Sequence, residues 1–358
     1  MLEKLTAPSY SILTPPGVSE ETISSPPMKI VLLPEIQGLC QTTPIIQQLL
    51  LETYDLSPQN FLHGIMVADA ASFIFTQALP VELKNMEILK ELEASFSTMI
   101  VAANLHDIGK IIDPELCQSF YHTDQSQNRT LHQIATQHLH PLVGYQFLET
   151  LDLFIQKNNI ISPISFQKVA QLAVLHHVNP FGNIITKDDR GSASYPDYTP
   201  ETPVEKLLTI IIQAADVIVS TGTPRPSYRN FSLPLYNTMS ALCNIFNQQK
   251  MQYIFHELTP TQASRLRNHL FETSLKALVA CQRKYPEEFC KNNNINPLMN
   301  KIDPSLPPII PQILDLMSQN KGYLSKRNAL YQQQRELFEH LIFKDRKKVF
   351  KKPIHNFF

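Results

Sequence analysis

A chain of 358 residues with 43% apolar content can bury a large core, in one domain or two, and has the composition of an ordinary globular protein. Its formal net charge of −1 excludes a global electrostatic case for nucleic acid or a membrane surface, and no run reaches the roughly 18 consecutive apolar residues of a membrane span. Nine glycines against 27 prolines suit helices joined by stiff loops and argue against an all-β fold. The five scattered cysteines (Cys40, Cys117, Cys243, Cys281, Cys290) fit neither a disulfide framework nor a zinc ribbon, so a reducing cytoplasmic compartment is expected.

The first 27 residues lack the apolar centre of a signal peptide and are interrupted by Pro8, Pro15, Pro16, Pro26 and Pro27, which implies an irregular leader. Ile30-Val31-Leu32-Leu33 is compatible with a strand or an extended arm. Helical periodicity begins at Pro44, where Ile45, Ile46, Leu49 and Leu50 form one stripe. After a break at Ser57-Pro58, a second helix carries Phe61, Leu62, Ile65, Met66, Ala70, Phe73 and Ile74, with His63 on it. A third is expected over about residues 80–105, ending in the apolar run Met99-Ile100-Val101-Ala102-Ala103, and Asp113-Pro114 closes the segment that follows. Beyond a polar loop at 121–129, a helix from about Leu131 holds His132, His138 and His140. Another, at 166–177, ends in His176-His177.

Residues 178–202 form a long polar loop, a length that usually marks function or disorder. Helix resumes at 204–220, with Asp216 near its end, and a turn-rich basic segment follows at 221–229. The remaining third also has helical patterning, clearest at 311–343 with a split near Gly322. The tail at 344–352 has six Lys or Arg against one acid, a solvated terminus or a surface for an anionic partner.

The chemistry centres on Leu105-His106-Asp107-Ile108-Gly109-Lys110. On a helix, His106, Asp107 and Lys110 edge one face and offer an imidazole, a carboxylate able to bridge two cations, and an ammonium for a phosphate oxygen. A lone histidine on an apolar helix is more often a satisfied core residue than a ligand. Here His63, His106, Asp107, His140, His176, His177 and Asp216 form an ordered series, each separated from the next group by 33 to 43 residues. Imidazole and carboxylate together suit Fe, Mn, Zn or Ni better than Mg or Ca, and seven such groups exceed what one ion needs. A carboxylate flanked by two histidine sets is the pattern of a two-metal site.

With these pieces in place, the chain resembles the HD superfamily of metal-dependent phosphohydrolases and, within it, the HD-GYP type of cyclic-dinucleotide phosphodiesterase. The matching residues are His63-Gly-Ile-Met-Val67-Ala68, Asn104-Leu-His-Asp-Ile-Gly-Lys110, His140-Pro-Leu-Val-Gly144, Leu175-His176-His177 and Ala215-Asp216, leading to Arg225-Pro-Ser-Tyr-Arg229. The resemblance implies one metal on His63, His106, Asp107 and Asp216, and a second on His140, His176 and His177, with Asp107 bridging. It makes Asp107 and Lys110 the catalytic residues, Lys110 contacting the scissile phosphate. Arg225 and Arg229 would either hold substrate phosphate or lock their loop to a neighbouring acid.

Three departures stand out. Val178 follows the histidine pair where the family usually has Glu, and the nearest Tyr-Pro is Tyr195-Pro196 behind Ser194, so the GYP element is degenerate. Gln59 stands where members with a third metal carry Glu, which favours two ions.

The expectation is therefore an all-α HD-domain helical bundle with additional C-terminal helices and a mostly irregular leader. Residues 1–50 would be a Pro-rich segment, partly disordered or capping, 51–300 the catalytic domain, and 301–358 a helical extension with a basic tail. The expected activity is hydrolysis of a cyclic dinucleotide resembling cyclic-di-GMP, with two divalent transition-metal ions, Fe or Mn foremost. A generic nucleotide phosphohydrolase and a non-catalytic signalling or scaffold module of the same fold are the alternatives. A nucleotide is the expected partner, with no membrane span and no clear nucleic-acid surface, and pairing of two chains as a homodimer stays open.

Overall fold

The structure, a computed structural model, describes residues 32–83, 87–113, 139–177, 200–222, 235–247, 258–285 and 307–320, with single positions at 251, 322, 325, 329 and 332. Among them the regular elements are helices, in the order α1 (Pro34–Thr42), α2 (Pro44–Leu56), α3 (Pro58–Leu83), α4 (Ile88–Ala94), α5 (Phe96–Leu105), α6 (Gly109–Ile112), α7 (His140–Lys157), α8 (Phe166–Val174), α9 (Pro203–Gly222), α10 (Leu235–Ile245), α11 (Pro260–Lys284) and α12 (Ile309–Gln319). A single 3-10 turn, Leu175–His177, extends α8. The fold is all-α, and no strand occurs among the described residues.

Proline sets many of the boundaries. Pro34, Pro44, Pro58, Pro203 and Pro260 each begin a helix, and Pro141 is in the first turn of α7. At those positions the missing N–H costs nothing and the fixed φ suits the helix, so a proline-rich composition and a helical fold agree. Side chains add caps at several helix heads. The Ser57 hydroxyl accepts from the Asn60 amide at the head of α3, and Thr259 and Gln262 form a capping box on α11. Asp152 of α7 accepts from the Phe166 amide at 2.6 Å and so fixes the head of α8.

The 26-residue α3 lies at the centre, packed on α2, α5, α9 and α11, while α7 packs on α6, α8 and α12. By length and composition Pro58–Leu79 could cross a membrane, but its most apolar window is 67% buried inside the protein, packed among other helices as a core helix is. Helix α12 buries Ile309, Ile310, Ile313 and Met317 against α2 and α7. Both oxygens of Glu52, on α2, accept from its first amides, Ile309 at 2.6 Å and Ile310 at 2.8 Å.

Several boundaries differ from the sequence expectation. The chain is already helical from Pro34, and Ile36, Leu39, Ile46, Leu49 and Leu50 join the core. The helix expected over 80–105 is two helices, because α3 runs through Pro80 to Leu83 and a turn at Ser95 separates α4 from α5. The leader to residue 31, the polar loop at 121–129, His132 and His138, most of the 178–202 loop, Arg225, Arg229 and the basic tail lie outside the described residues.

Two close approaches bring the key helices together. At Gly64 a Cβ would collide with the Asn104 carbonyl oxygen, so α3 and α5 touch backbone to backbone. At Gly109 it would collide with the His140 carbonyl oxygen, and Gly144 faces Gly109 from one turn further along α7. Gly109→Ala should therefore cost about 1–3 kcal/mol, the usual price of overpacking, with relaxation at the head of α7. Gly38→Ala in α1, where nothing lies within 4 Å of the added Cβ, should stabilise by about 0.5–1 kcal/mol. Urea unfolding midpoints of the two variants check both signs.

Candidate metal centre

Each chemistry-bearing residue sits at a helix end or on a central helix. His63 lies in the second turn of α3, against the Gly64–Asn104 contact. Helix α5 stops at Leu105, and the next three residues turn, with Ile108 N–H bonded to Leu105 O and Lys110 N–H bonded to Asp107 O. That turn carries His106 and Asp107 on consecutive residues, and α6 then presents Lys110. The close approach of Gly109 to the His140 and Gly144 backbone holds the head of α7, and with it His140, against the turn. His176 and His177 occupy the 3-10 turn after α8, and Asp216 lies on α9.

These residues converge on Asp107, which is 2% exposed. Its Oδ2 faces His63 Nε2 and His106 Nε2, both at 3.4 Å, and pairs with the Lys110 ammonium. Its Oδ1 faces His140 Nε2 at 3.1 Å and His176 Nε2 at 3.5 Å. On the Oδ2 side, Asp216 Oδ1 lies 3.1 Å from His63 Nε2 and 3.7 Å from His106 Nε2. On the Oδ1 side, His140 and His176 approach at 3.1 Å between Nε2 atoms, and the His177 ring centre lies 4.1 Å from that of His176. Two groups could each hold a metal ion: His63, His106 and Asp107, and His140, His176 and His177.

Hydrogen bonding on the far side of two rings decides what the near side offers. His106 Nδ1 lies 2.7 Å from Ala103 O, and His176 Nδ1 lies 2.5 Å from Ala173 O. A carbonyl only accepts, so both Nδ1 atoms carry the proton, and in the neutral ring Nε2 points a lone pair into the cluster. Lone pairs aimed at carboxylate oxygens repel unless a proton or a cation lies between them. His106 Nε2 and Asp107 Oδ1 are in fact fully buried without a hydrogen-bond partner. Orphaned atoms of this kind, oriented by backbone carbonyls behind the ring, fit a metal-ligand set of nitrogen and oxygen donors, and the residues suit Fe, Mn or Zn.

The electrostatics of the metal-free cluster follow from burial. Burial alone would lower the His106 pKa, but the charges of Asp107 and Asp216 overcome it and raise it to about 9. His140 is pushed down to about 3, by burial first and then by Lys110. His176 and His177 are also lowered, chiefly by burial. Burial would raise both carboxyls, yet both fall well below the usual range: His106 and Lys110 hold Asp107 down, and His106 and His63 hold Asp216 down. Without metal, then, the Asp107 and Asp216 carboxylates face the His106 imidazolium, and Asp107 also faces the Lys110 ammonium.

The structure brings together His63, His106, Asp107, Lys110, His140, His176, His177 and Asp216, every described residue of the expected site. Lys110 sits on Asp107, with its side chain 11% exposed. Three supporting residues were not anticipated. Asn60 Nδ2 donates to Asp107 O at 3.5 Å, Ser220 Oγ donates to Asp216 Oδ1 at 2.7 Å, and Gln213 Nε2 donates to Leu175 O at 2.8 Å. Ser220 stands one helical turn beyond Asp216, a spacing that marks it in hindsight. The acceptors of Asn60 and Gln213 are main-chain carbonyls, which leave no trace in the sequence.

The pH dependence of the metal-free protein follows, group by group. His140, His176 and His177 have folded pKa values below their unfolded 6.5, so their contribution is present above pH 6.5 and lost as pH falls. The slope is roughly 1.4 kcal/mol per pH unit for each ring kept neutral. His106, raised to about 9, contributes below pH 6.5 and loses that contribution as pH rises through 9. Urea denaturation in chelator from pH 4 to 9.5 should give a maximum near neutrality with a fall on both sides, and a saturating metal should remove the alkaline fall. A flat profile would contradict the charge assignment.

No family model and no curated protein matches this sequence. Among solved structures the chain is similar to the HD domain of the L. monocytogenes phosphodiesterase PgpH, solved in complex with cyclic-di-AMP. The identity is 16%, over 67% of this chain and 95% of that one, with a TM-score of 0.35.

Proposed function

We propose that this chain is a metal-dependent phosphohydrolase of the HD type, a phosphodiesterase that opens a cyclic dinucleotide. One observation carries the reading: the buried Asp107 turns each carboxylate oxygen to a different histidine set, His63 and His106 on one side, His140 and His176 on the other. What supports the cyclic-dinucleotide class is the order of the sequence pieces around those residues, His63-Gly, HDIGK and HPLVG followed by the histidine pair.

In this proposal His63, His106 and Asp216 hold one ion and His140, His176 and His177 the other, with Asp107 shared. Two divalent cations held there would neutralise the phosphodiester and supply an activated water for in-line attack. The remaining work belongs to the chain. Ala103 O and Ala173 O fix the ring orientation of His106 and His176, so the ligand geometry exists before substrate arrives. Lys110, one turn from Asp107, would offer its ammonium to the phosphate oxygens on which negative charge builds. His106, Asp107, His140 and His176 are each at most 3% exposed, so the charges among them act in a low dielectric. Arg225 and Arg229, outside the described residues, are the proposed further phosphate contacts.

Metal analysis of the purified protein should find transition metal, and Asp107→Ala should lose it. Hydrolysis by that variant should fall by at least about 100-fold, beyond the range typical for loss of a ligand's supporting partner. A panel of cyclic dinucleotides, linear dinucleotides and nucleoside mono- and triphosphates assigns the substrate. No bound metal, or undiminished hydrolysis in Asp107→Ala, overturns the enzyme reading. Turnover of mononucleotides with none of any cyclic dinucleotide replaces it with a general HD-type nucleotidase.

A further inference from the structure

Helix α9 carries a polar residue that a purely structural role does not explain. Its neighbours Ile210, Ile211, Ile212, Ala214 and Ala215 are all buried, yet Gln213 is a 9%-exposed amide among them. A leucine or methionine would fill that space without the cost of desolvating an amide, about 1–3 kcal/mol when the amide is left unpaired. The amide has a specific target: Nε2 donates to Leu175 O at 2.8 Å. Leu175 opens the 3-10 turn at the end of α8, where backbone carbonyls run out of helical partners, and the next two residues are His176 and His177. Asp216 lies three residues beyond Gln213, on the same side of α9, among the His63 and His106 ring nitrogens.

We propose that Gln213 is a positioning residue for the second metal group, and that α9 sets the separation of the two groups by holding Asp216 in one and the backbone beneath His176 and His177 in the other. This rests on the two-metal reading above. His176 has its own anchor, Nδ1 on Ala173 O, but that bond fixes the ring relative to α8 alone. The bond from Gln213 to Leu175 O ties the turn across to α9, and with it the placement of His176 and His177 opposite Asp107. Losing it leaves the first group, built from α3, α5 and the far end of α9, in place.

Gln213→Met keeps the volume and removes the donor. Cobalt titrations followed by absorption spectroscopy should show two equivalents in the wild type. In a His63→Ala background, which leaves the second group, Gln213→Met should weaken the remaining equivalent by roughly 10–100-fold. In a His177→Ala background, which leaves the first, it should change binding less than about twofold. In the otherwise wild-type enzyme, kcat should fall while KM stays level at saturating metal, because the substrate's own contacts are untouched. If Gln213→Met fails to fold, Gln213→Asn decides, since an amide one methylene short should lower affinity at the second group only.

Equal weakening of both equivalents, or neither, overturns the proposal while the two-metal reading stands. A wild type that binds no cobalt removes both together.

Discussion

The carboxylate of Asp107 is ionised and 2% exposed, in contact with four imidazoles and an ammonium. Taking such a group out of water costs several kcal/mol unless charges and donors surround it. The fold meets that demand with groups from α3, the α5–α6 turn, α6, the head of α7 and the turn after α8, while α9 places Asp216 beside the same rings. No single helix can do this, so the polar centre is also what fixes the relative placement of the helices. An apolar bundle tolerates slippage by a turn; here a slip would strand a charge.

The packing that allows the convergence is made by small residues. Gly64 lets the backbone of α3 meet that of α5, and Gly109 and Gly144 let the α6 turn meet α7. These contacts place His63 beside His106 and His140 beside Asp107. They also account for the glycines within three of the sequence pieces that carry ligands, His63-Gly, HDIGK and HPLVG, as a matter of space rather than of chemistry.

Much of this was legible in the sequence. Periodicity announced most of the helices from α2 onward, and the order of His63, His106-Asp107, His140, His176-His177 and Asp216 marked a cluster, because an ordered series is a pattern that single core histidines do not make. Helix α1 escaped notice because nine residues give a short apolar pattern, and Ile30–Leu33 ahead of it suited a strand or an extended arm. The break at Ser95 escaped because its backbone stays near helical values and no Gly or Pro marks it. Gln213 and Asn60 escaped for a deeper reason: each grips a main-chain carbonyl, and every residue has one. Such partners are chosen by three-dimensional placement alone.

The two amide bonds from the head of α12 to Glu52 span 257 and 258 residues of sequence. Closing so large a loop is entropically slow, although each doubling of loop length adds only about 0.6 kcal/mol to its cost. During synthesis, 257 residues must follow Glu52 before its carboxylate reaches the first of those amides. Until then the apolar faces of α2 and α7 that α12 covers stay open to water. Helix α12 thus shuts the seam between α2 and α7.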